Sequence, residues 1–296
     1  MMLQIHPEGP IFSRLIPGLM RLNQWQMSAG DLLEWVKAAA DMGLTTFDHA
    51  DIYGGYTNEA RFGEALALDP SMREKIQLVS KCGIQLFSEN RPQTIVKHYN
   101  TSREHIVASA ERSLQNLQTD YLDLLLIHRP DQLMNPVEVG NTLQELVKAG
   151  KVRYVGVSNF TPSQFETLQN MMNIPLVTNQ VEFSVNYLDP LTDGTFDQAF
   201  RYHYAPMIWS PLGGGRIFQP DTPLYDMLRQ VGDELGGKGV DQVALAWTMQ
   251  HPVNVLPVLG TGKLERLQAA VDALQIQMDR QQWFRIWQAA AGHEIA

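Results

Sequence analysis

Four side chains that can hold or move a proton stand at or just after the ends of predicted strands. Asp48 lies in the apolar run TTFDH, and Tyr53 follows it five residues later. Lys81 ends the run IQLVSK, and His128 ends the run LDLLLIH. The spacing therefore predicts an aspartate, a tyrosine, a lysine and a histidine at successive strand ends.

These residue types suit the transfer of a proton to an oxygen that gains negative charge. A buried lysine needs a counter-charge, and Asp48 would supply it for Lys81. A nearby ammonium stabilises a phenolate, so Tyr53 would become a better acid than a free phenol. An imidazole at His128 can orient a carbonyl oxygen. Carbonyl reduction has this need, because a hydride arrives at carbon and a proton at oxygen.

The later predicted strands end in neutral amides and hydroxyls. Ser158 and Asn159 end the fifth strand, Gln180 lies near the end of the sixth, and Ser210 ends the seventh. The ionisable residues thus cluster in the first half of the pattern, and the neutral donors and acceptors in the second half.

Short apolar runs alternate with longer amphipathic ones along the chain. This alternation predicts a parallel sheet, because each return to a parallel strand needs a crossover. Eight such units in about 250 residues favour a closed (β/α)8 TIM barrel, whose active site lies at the carboxyl ends of the strands. The predicted strands are 14–20, 45–49, 76–81, 122–128, 153–159, 176–182, 205–210 and 253–260.

We expect residues 1–296 to form a single α/β domain with an addition at each end. MLQIHPEGPIFSRL predicts an N-terminal hairpin cap, and MDRQQWFRIWQAAAG predicts an extra C-terminal helix. Ser102 and Thr161 are typical of residues that cap helix starts, and Gly150 of one that follows a helix end. The polar stretch from Gly83 to Thr101 directly follows a strand, and long loops of this kind are often functional.

Charge and composition argue against several classes of partner. The formal net charge is −9 and the basic residues are scattered, so we expect no nucleic-acid partner. Cys82 is the single cysteine, which leaves no intramolecular disulfide. No run reaches the roughly 18 apolar residues of a membrane helix, and the start lacks the features of a signal peptide. We therefore expect a soluble, cytoplasmic protein with no membrane partner.

Six blocks of the chain resemble the successive motifs of the aldo-keto reductases, in the family's order and spacing. The blocks are GLTTFDHADIYGGYTNEARFGEAL, LVSKCG, DYLDLLLIHRPD, VRYVGVSNF, TNQVEFS and WSPLGGGR. The resemblance extends from about Leu15 to Ala273. It implies a (β/α)8 barrel that reduces aldehydes or ketones with a nicotinamide dinucleotide, usually NADPH, without a Rossmann domain or a metal.

The resemblance also implies a role for each residue of the first set. Tyr53 would be the general acid, and Lys81, paired with Asp48, would lower the pKa of Tyr53. His128 would orient the carbonyl of the substrate, a small molecule. The family resemblance implies a monomer or a loose dimer.

The second set would hold the cofactor. Asn159 and Gln180 would bind the nicotinamide carboxamide, with Ser158 beside Asn159, and the glycines of WSPLGGG would let the backbone approach the pyrophosphate. The residues expected to contact the cofactor are Met20, Ser158, Asn159, Gln180, Trp209, Ser210, Pro211, Leu212, Gly213, Gly214, Gly215, Arg216, Gly260, Thr261, Gly262, Lys263 and Arg266.

The adenosine end departs from the common family pattern. Many members have a basic residue and a hydroxyl where this chain has Gly260-Thr261, and a Glu-Asn pair where it has Ala269-Ala270. The contacts to the adenosine must therefore differ from those of the common family pattern. Lys263 and Arg266 would supply positive charge to a 2′-phosphate, and the backbone of Gly260 to Gly262 would supply N–H groups. We therefore favour NADPH over NADH.

Simpler interpretations compete for several residues. His49 and Asp51 beside Asp48 suggest a metal site, but no second ligand cluster has suitable spacing, so we expect no metal. A single aspartate after a strand is often a cap, and Cys82 is expected to pack. Packing is the simpler interpretation of Tyr53 and His128, but their spacing to Asp48 and Lys81 favours catalysis. Aromatic residues that either line the substrate site or belong to the core are Trp25, Phe87, Tyr99 and Trp209.

Two other functions compete with the reductase. A cofactor-binding regulatory or redox-sensing barrel with slow turnover would keep the same cofactor residues. A barrel aldolase would use Lys81 as a Schiff-base nucleophile, although this leaves Asn159, Gln180 and the glycine turn without a role.

Overall fold

The computed structural model describes residues 2–296, which form one parallel sheet and two small antiparallel hairpins. The strands are β1 (Met2–Gln4), β2 (Ile11–Ser13), β3 (Ile16–Pro17), β4 (Thr46–Asp48), β5 (Gln77–Cys82), β6 (Ile84–Gln85), β7 (His98–Tyr99), β8 (Leu122–Ile127), β9 (Val152–Ser158), β10 (Leu176–Glu182), β11 (Met207–Trp209) and β12 (Leu256–Leu259). Eight of them form the parallel sheet in the order β3-β12-β11-β10-β9-β8-β5-β4. Each of the eight lies within or beside one of the predicted runs.

The two end strands of this sheet, β3 and β4, meet and close the barrel. Gly18 forms a parallel bridge with Asp48. The N–H of Leu19 donates to the carbonyl of Asp48 over 2.9 Å, and the N–H of Gly18 donates to the carbonyl of Leu259 over 2.8 Å. The (β/α)8 barrel is confirmed. The first barrel strand is shorter than the predicted run, although inter-strand bonds continue beyond Pro17 to Gly18 and Leu19.

The helices lie outside the barrel and connect its strands. They are α1 (Ala29–Asp41), α2 (Tyr53–Tyr56), α3 (Asn58–Ala67), α4 (Arg103–Leu117), α5 (Pro136–Lys148), α6 (Pro162–Gln169), α7 (Thr195–Arg201), α8 (Pro223–Glu234), α9 (Val240–Met249), α10 (Leu264–Ala273) and α11 (Arg280–Ala291). Ser102 and Thr161 accept hydrogen bonds at the starts of α4 and α6, as expected. Helix α11 is the expected extra helix. Among the described helices, none combines the length and the apolar composition needed to cross a membrane.

The inside of the barrel is filled by apolar side chains and closed at one end by the N-terminal hairpin. Val79, Leu124 and Met207 belong to this interior cluster, and Ile5 and Phe12 of the hairpin pack into it. Phe12 is completely buried, and truncation of such a phenylalanine to alanine costs about 3–5 kcal/mol. The hairpin therefore seals the amino ends of the strands and leaves the carboxyl ends as the open face.

The stretch from Gly83 to Thr101 is less irregular than its sequence suggests. Strands β6 and β7 pair as a short antiparallel hairpin, with Ile84 opposite Tyr99. The tip carries apolar side chains on its surface, since Ile95 is 90% and Phe87 is 71% exposed. This hairpin rises directly from the end of β5, next to Lys81.

Candidate active site

A left-handed turn presents Tyr53 beside the ends of β4 and β5. Gly54 and Gly55 follow it with φ of 61° and 63°, a conformation that glycine adopts at little cost. A Cβ atom on Gly54 would overlap with Oδ1 of Asn58. The turn therefore requires glycine at position 54, and the tight contact fixes the backbone that follows Tyr53.

Lys81 is completely buried and donates three hydrogen bonds that join the first set of residues. Its Nζ lies 2.7 Å from Oδ2 of Asp48 and 3.1 Å from Oη of Tyr53. The third bond, of 2.8 Å, goes to the carbonyl of His49. Because the oxygen of Tyr53 accepts from Lys81, its own hydrogen is free to be donated elsewhere.

The charges of this group hold Lys81 in its protonated form. Burial lowers the pKa of Lys81, but the neighbouring Asp48 and Tyr53 more than compensate, so its pKa lies above the ordinary value. The sequence-based expectation for Tyr53 is only half right. Lys81 lowers the pKa of Tyr53, yet burial raises it more, and the net pKa of the phenol lies above its ordinary value.

His128 faces Tyr53 as a neutral imidazole. The two rings meet edge to face with their centroids 5.9 Å apart. Burial and the charge of Lys81 hold the pKa of His128 well below its ordinary value. Its Nδ1 atom is buried without a partner among the described residues. Since a buried donor without a partner is rarer than an acceptor, we assign the proton to Nε2.

The neutral residues of the second set are bonded to one another and to Asp48. Nε2 of Gln180 donates to Oδ1 of Asp48 over 2.9 Å. Nδ2 of Asn159 donates to Oγ of Ser158 over 2.7 Å, and Nε1 of Trp209 donates to Oδ1 of Asn159 over 2.9 Å. The structure therefore brings the residues expected to transfer the proton and those expected to bind the nicotinamide into one network.

Two residues of the second set sit on unusual backbone. Asn159 has φ of 60° and Ser210 has φ of 51°, values in the left-handed region that non-glycine residues seldom adopt. Such strain costs of order 1–3 kcal/mol per residue and clusters at functional sites. Both positions directly follow a barrel strand, at the open face.

The glycine turn after β11 offers its backbone to solvent. Gly214 and Gly215 have φ of 64° and 96° and are exposed, with open space where a Cβ atom would stand. Arg216 is exposed as well, with Nη2 4.0 Å from Oε1 of Glu182. Pro211 and Gly213 are buried, whereas Trp209, Ser210 and Leu212 are half-buried, so the most exposed part of the predicted segment runs from Gly214 to Arg216.

The turn before α10 is also open to solvent, and Met20 is exposed near the end of the first strand. No side chain caps the start of α10, while Lys263 and Arg266 are exposed cations there. Gly262 packs against the ring of Trp25, because an added Cβ atom would lie 2.5 Å from it. Trp25 thus supports this turn.

Three residues near the site, His49, Asp51 and Cys82, are buried structural groups. His49 is completely buried and Asp51 is 7% exposed, so neither is a surface residue. Burial and the nearby Glu59 raise the pKa of Asp51 well above its ordinary value. Burial likewise raises the pKa of the Cys82 thiol, which packs in the core. Within residues 2–296, no group of three potential metal ligands is found.

Sequence reasoning missed three residues of the site. Asn58 is completely buried and donates to the carbonyls of Leu19 and Met20. Glu59 accepts from Oγ of Ser80, next to Lys81 in β5, over 2.6 Å. The guanidinium of Arg129 lies 5.7 Å from the ring centroid of Trp209. The only available signal was a polar Asn-Glu pair beginning an otherwise amphipathic helix.

Comparison with known proteins identifies the family. A model of the aldo/keto reductase family matches residues 14–291. The chain belongs to the aldo-keto reductases. It is 51% identical to the Escherichia coli oxidoreductase YdhF over 98% of each chain. It is 49% identical to the uncharacterized oxidoreductase YcsN of Bacillus subtilis over 96% of each.

Two further proteins match nearly the whole chain. A 6-dehydroglucose reductase of Agrobacterium fabrum is 44% identical over 96% of each chain. The crystal structure of the thermostable aldo-keto reductase Tm1743, solved with the inhibitor epalrestat, superposes with a TM-score of 0.82. That protein is 26% identical, and the match covers 98% of this chain and 99% of the other. The fold and the oxidoreductase class are therefore those of the family.

Proposed function

We propose that this aldo-keto reductase uses NADPH to reduce aldehydes or ketones, with Tyr53 as the general acid. The observation that carries the proposal is the position of Lys81, which donates to both Asp48 and Tyr53. That arrangement keeps the phenol hydrogen free and places a positive charge beside the phenolate that forms. A bound nicotinamide would supply the hydride.

His128 and Tyr53 would act together on the substrate oxygen. The protonated Nε2 of a neutral His128 can donate a hydrogen bond to the carbonyl, while Tyr53 transfers its proton to the same oxygen. A neutral imidazole suits this role, because it orients the carbonyl without placing a second full charge beside Lys81. Lys81 would then stabilise the phenolate until a proton returns from solvent.

The residues around the open face fit a dinucleotide. Asn159 and Gln180 carry amides suited to a carboxamide, and Gly214 and Gly215 leave room for a phosphate close to the backbone. The uncapped start of α10 offers N–H groups and the positive end of the helix dipole. Lys263 and Arg266 add the charge that a 2′-phosphate needs, which supports NADPH rather than NADH.

A sugar-derived carbonyl compound is the favoured substrate. The support is the 44% identity to a 6-dehydroglucose reductase over 96% of both chains. Arg129, beside His128 and near Trp209, would add donors for substrate hydroxyls at the mouth of the site. The alternative of a regulatory barrel with slow turnover predicts slow oxidation of bound NADPH with every such compound.

The aldolase alternative is disfavoured by the state of Lys81. Schiff-base formation needs an unprotonated amine. Three acceptors surround the Nζ atom, and its pKa is raised by Asp48 and Tyr53 against the effect of burial. The amine is therefore held as an ammonium, which is suited to stabilising a phenolate and unsuited to nucleophilic attack.

The test is the Tyr53→Phe variant, with Tyr225→Phe on the outer helix α8 as the matched control. We expect Tyr53→Phe to bind NADPH with unchanged affinity, measured by tryptophan fluorescence, and to lose at least about a hundredfold in kcat. Reduction at the wild-type rate would contradict the proposal.

Alanine at both Lys263 and Arg266 should weaken NADPH binding far more than NADH binding. Equal losses of affinity for the two cofactors would exclude the proposed 2′-phosphate contact.

A further inference from the structure

A half-open groove of about 540 Å³ lies on the face of the barrel opposite to the candidate active site. Arg14 precedes the first barrel strand and Asn254 precedes the last, so this is the amino-end face. The walls come from β1, the ends of α9 and α10, and the segment that leads to α11. Most lining side chains are apolar, among them Leu3, Met249 and Ile276.

Arg14 places an unneutralised positive charge at this groove. Its side chain lines the groove although the residue is only 8% exposed. Nη2 donates to the carbonyl of Met249 over 3.1 Å, while Nη1 is buried without a partner in the described part of the chain. Within residues 2–296, no carboxylate oxygen pairs with this guanidinium at 4 Å or less.

A buried guanidinium without a counter-ion carries a desolvation cost that a bound anion would offset. Burial lowers the pKa of Arg14 to about 10, so the group is charged at neutral pH. The carbonyl of Met249, at the end of α9, offsets part of that charge through the helix dipole. The positive charge that remains matches a monoanion better than a dianion.

We propose that this groove binds a small monocarboxylate with an apolar tail. The carboxylate would accept hydrogen bonds from Arg14, and the tail would lie against the apolar walls near Leu274 and Ile276. Such a site is separate from the reductase chemistry, because it lies at the sealed end of the barrel.

Octanoate is the probe, and octanol and inorganic phosphate are its matched controls. Isothermal titration should give saturable octanoate binding at least about tenfold tighter than octanol binding, as a charge-assisted hydrogen bond implies. Phosphate should bind more weakly than octanoate, since it gains nothing from the apolar walls. The proposal would be overturned if octanoate binding did not saturate. It would also be overturned if octanol or phosphate bound as tightly as octanoate.

Two variants locate the site. Arg14→Gln should lose about tenfold or more in octanoate affinity, whereas Arg280→Gln, an exposed arginine at the start of α11, should bind as the wild type does. Gln277→Trp should weaken binding by filling the groove while leaving Arg14 intact, which keeps the test valid if Arg14→Gln fails to fold. Octanoate binding that persists in both groove variants but competes with carbonyl substrates would assign the carboxylate to the active site and contradict the proposal.

Discussion

Gln180 donates a hydrogen bond from Nε2 to Oδ1 of Asp48 across 2.9 Å. The other carboxylate oxygen, Oδ2, receives Nζ of Lys81 at 2.7 Å, and all three residues are buried. Asp48 therefore links the amide proposed to bind the nicotinamide with the lysine proposed to support the acid Tyr53. A substitution at Gln180 should therefore affect both cofactor binding and proton transfer.

Replacement of Gln180 by leucine should lower NADPH affinity and kcat together. The substitution leaves Oδ1 of Asp48 buried without a donor, which costs about 1–3 kcal/mol, and it frees the carboxylate to shift relative to Lys81. Fluorescence titration gives the affinity, and a single-turnover assay gives the rate of reduction. Gln198→Leu is the control, because Gln198 is equally buried and donates to the carbonyl of Pro162, away from the site. A normal kcat in Gln180→Leu would show that the bond to Asp48 does not matter for the acid.

The ion pair of Lys81 and Asp48 should show strong coupling in stability. Lys81→Met leaves Asp48 as an unpaired buried carboxylate, and breaking such a pair costs about 3–5 kcal/mol. The double variant Lys81→Met/Asp48→Leu removes both charges and should recover much of that loss. Urea unfolding measures the free energies, and the reductase assay should find no activity in either variant. A double variant no more stable than Lys81→Met would mean that the two side chains are not coupled.

The turn that carries Tyr53 offers a comparison between adjacent glycines. Gly54→Ala and Gly55→Ala introduce the same left-handed strain, since their φ values are 61° and 63°. Only the first also drives a Cβ atom into Asn58, whereas a Cβ atom at Gly55 would meet Oγ of Ser88 at 3.3 Å. We expect Gly54→Ala to lower kcat at least about tenfold more than Gly55→Ala, because misplacement of an acid by about 1 Å is costly. Equal losses of kcat in the two variants would mean that glycine is required at position 54 because of backbone strain alone.

The sequence was sufficient to predict which residues meet at the open face, and the reason is topological. The carboxyl ends of parallel strands lie at one end of a barrel, so a polar residue at the end of each apolar run falls near the others. Asp48, Lys81 and His128 illustrate this directly. The helix caps at Ser102 and Thr161 were predictable as well, because capping is local.

What could not be predicted depends on packing between distant segments. The net pKa of Tyr53 reflects a balance between burial and the charge of Lys81, and a sequence gives no measure of burial. Asn58 joins the turn after Tyr53 to the segment that follows the first barrel strand, through bonds that span 38 and 39 residues. The groove at Arg14 combines residues from both ends of the chain and has no local pattern.

The stability of the protein should fall in mild acid because His49 cannot accept a proton in the folded state. Burial, with a smaller effect from Lys81, lowers the pKa of His49 to about 3, against about 6.5 in an unfolded chain. Between these values the unfolded state binds the extra proton, so the stabilisation is complete above about pH 6.5 and declines as the pH falls towards 3. Urea unfolding at pH 7 and pH 5 measures the decline.

The variant His49→Leu isolates this contribution from those of the other histidines. Its loss of unfolding free energy between pH 7 and pH 5 should be about 2 kcal/mol smaller than that of the wild type, from the separation of the two pKa values. His293→Leu, an exposed position near the C-terminus, should keep the wild-type dependence. An identical decline in His49→Leu and wild type would mean that His49 is protonated, and hence solvated, in the folded protein.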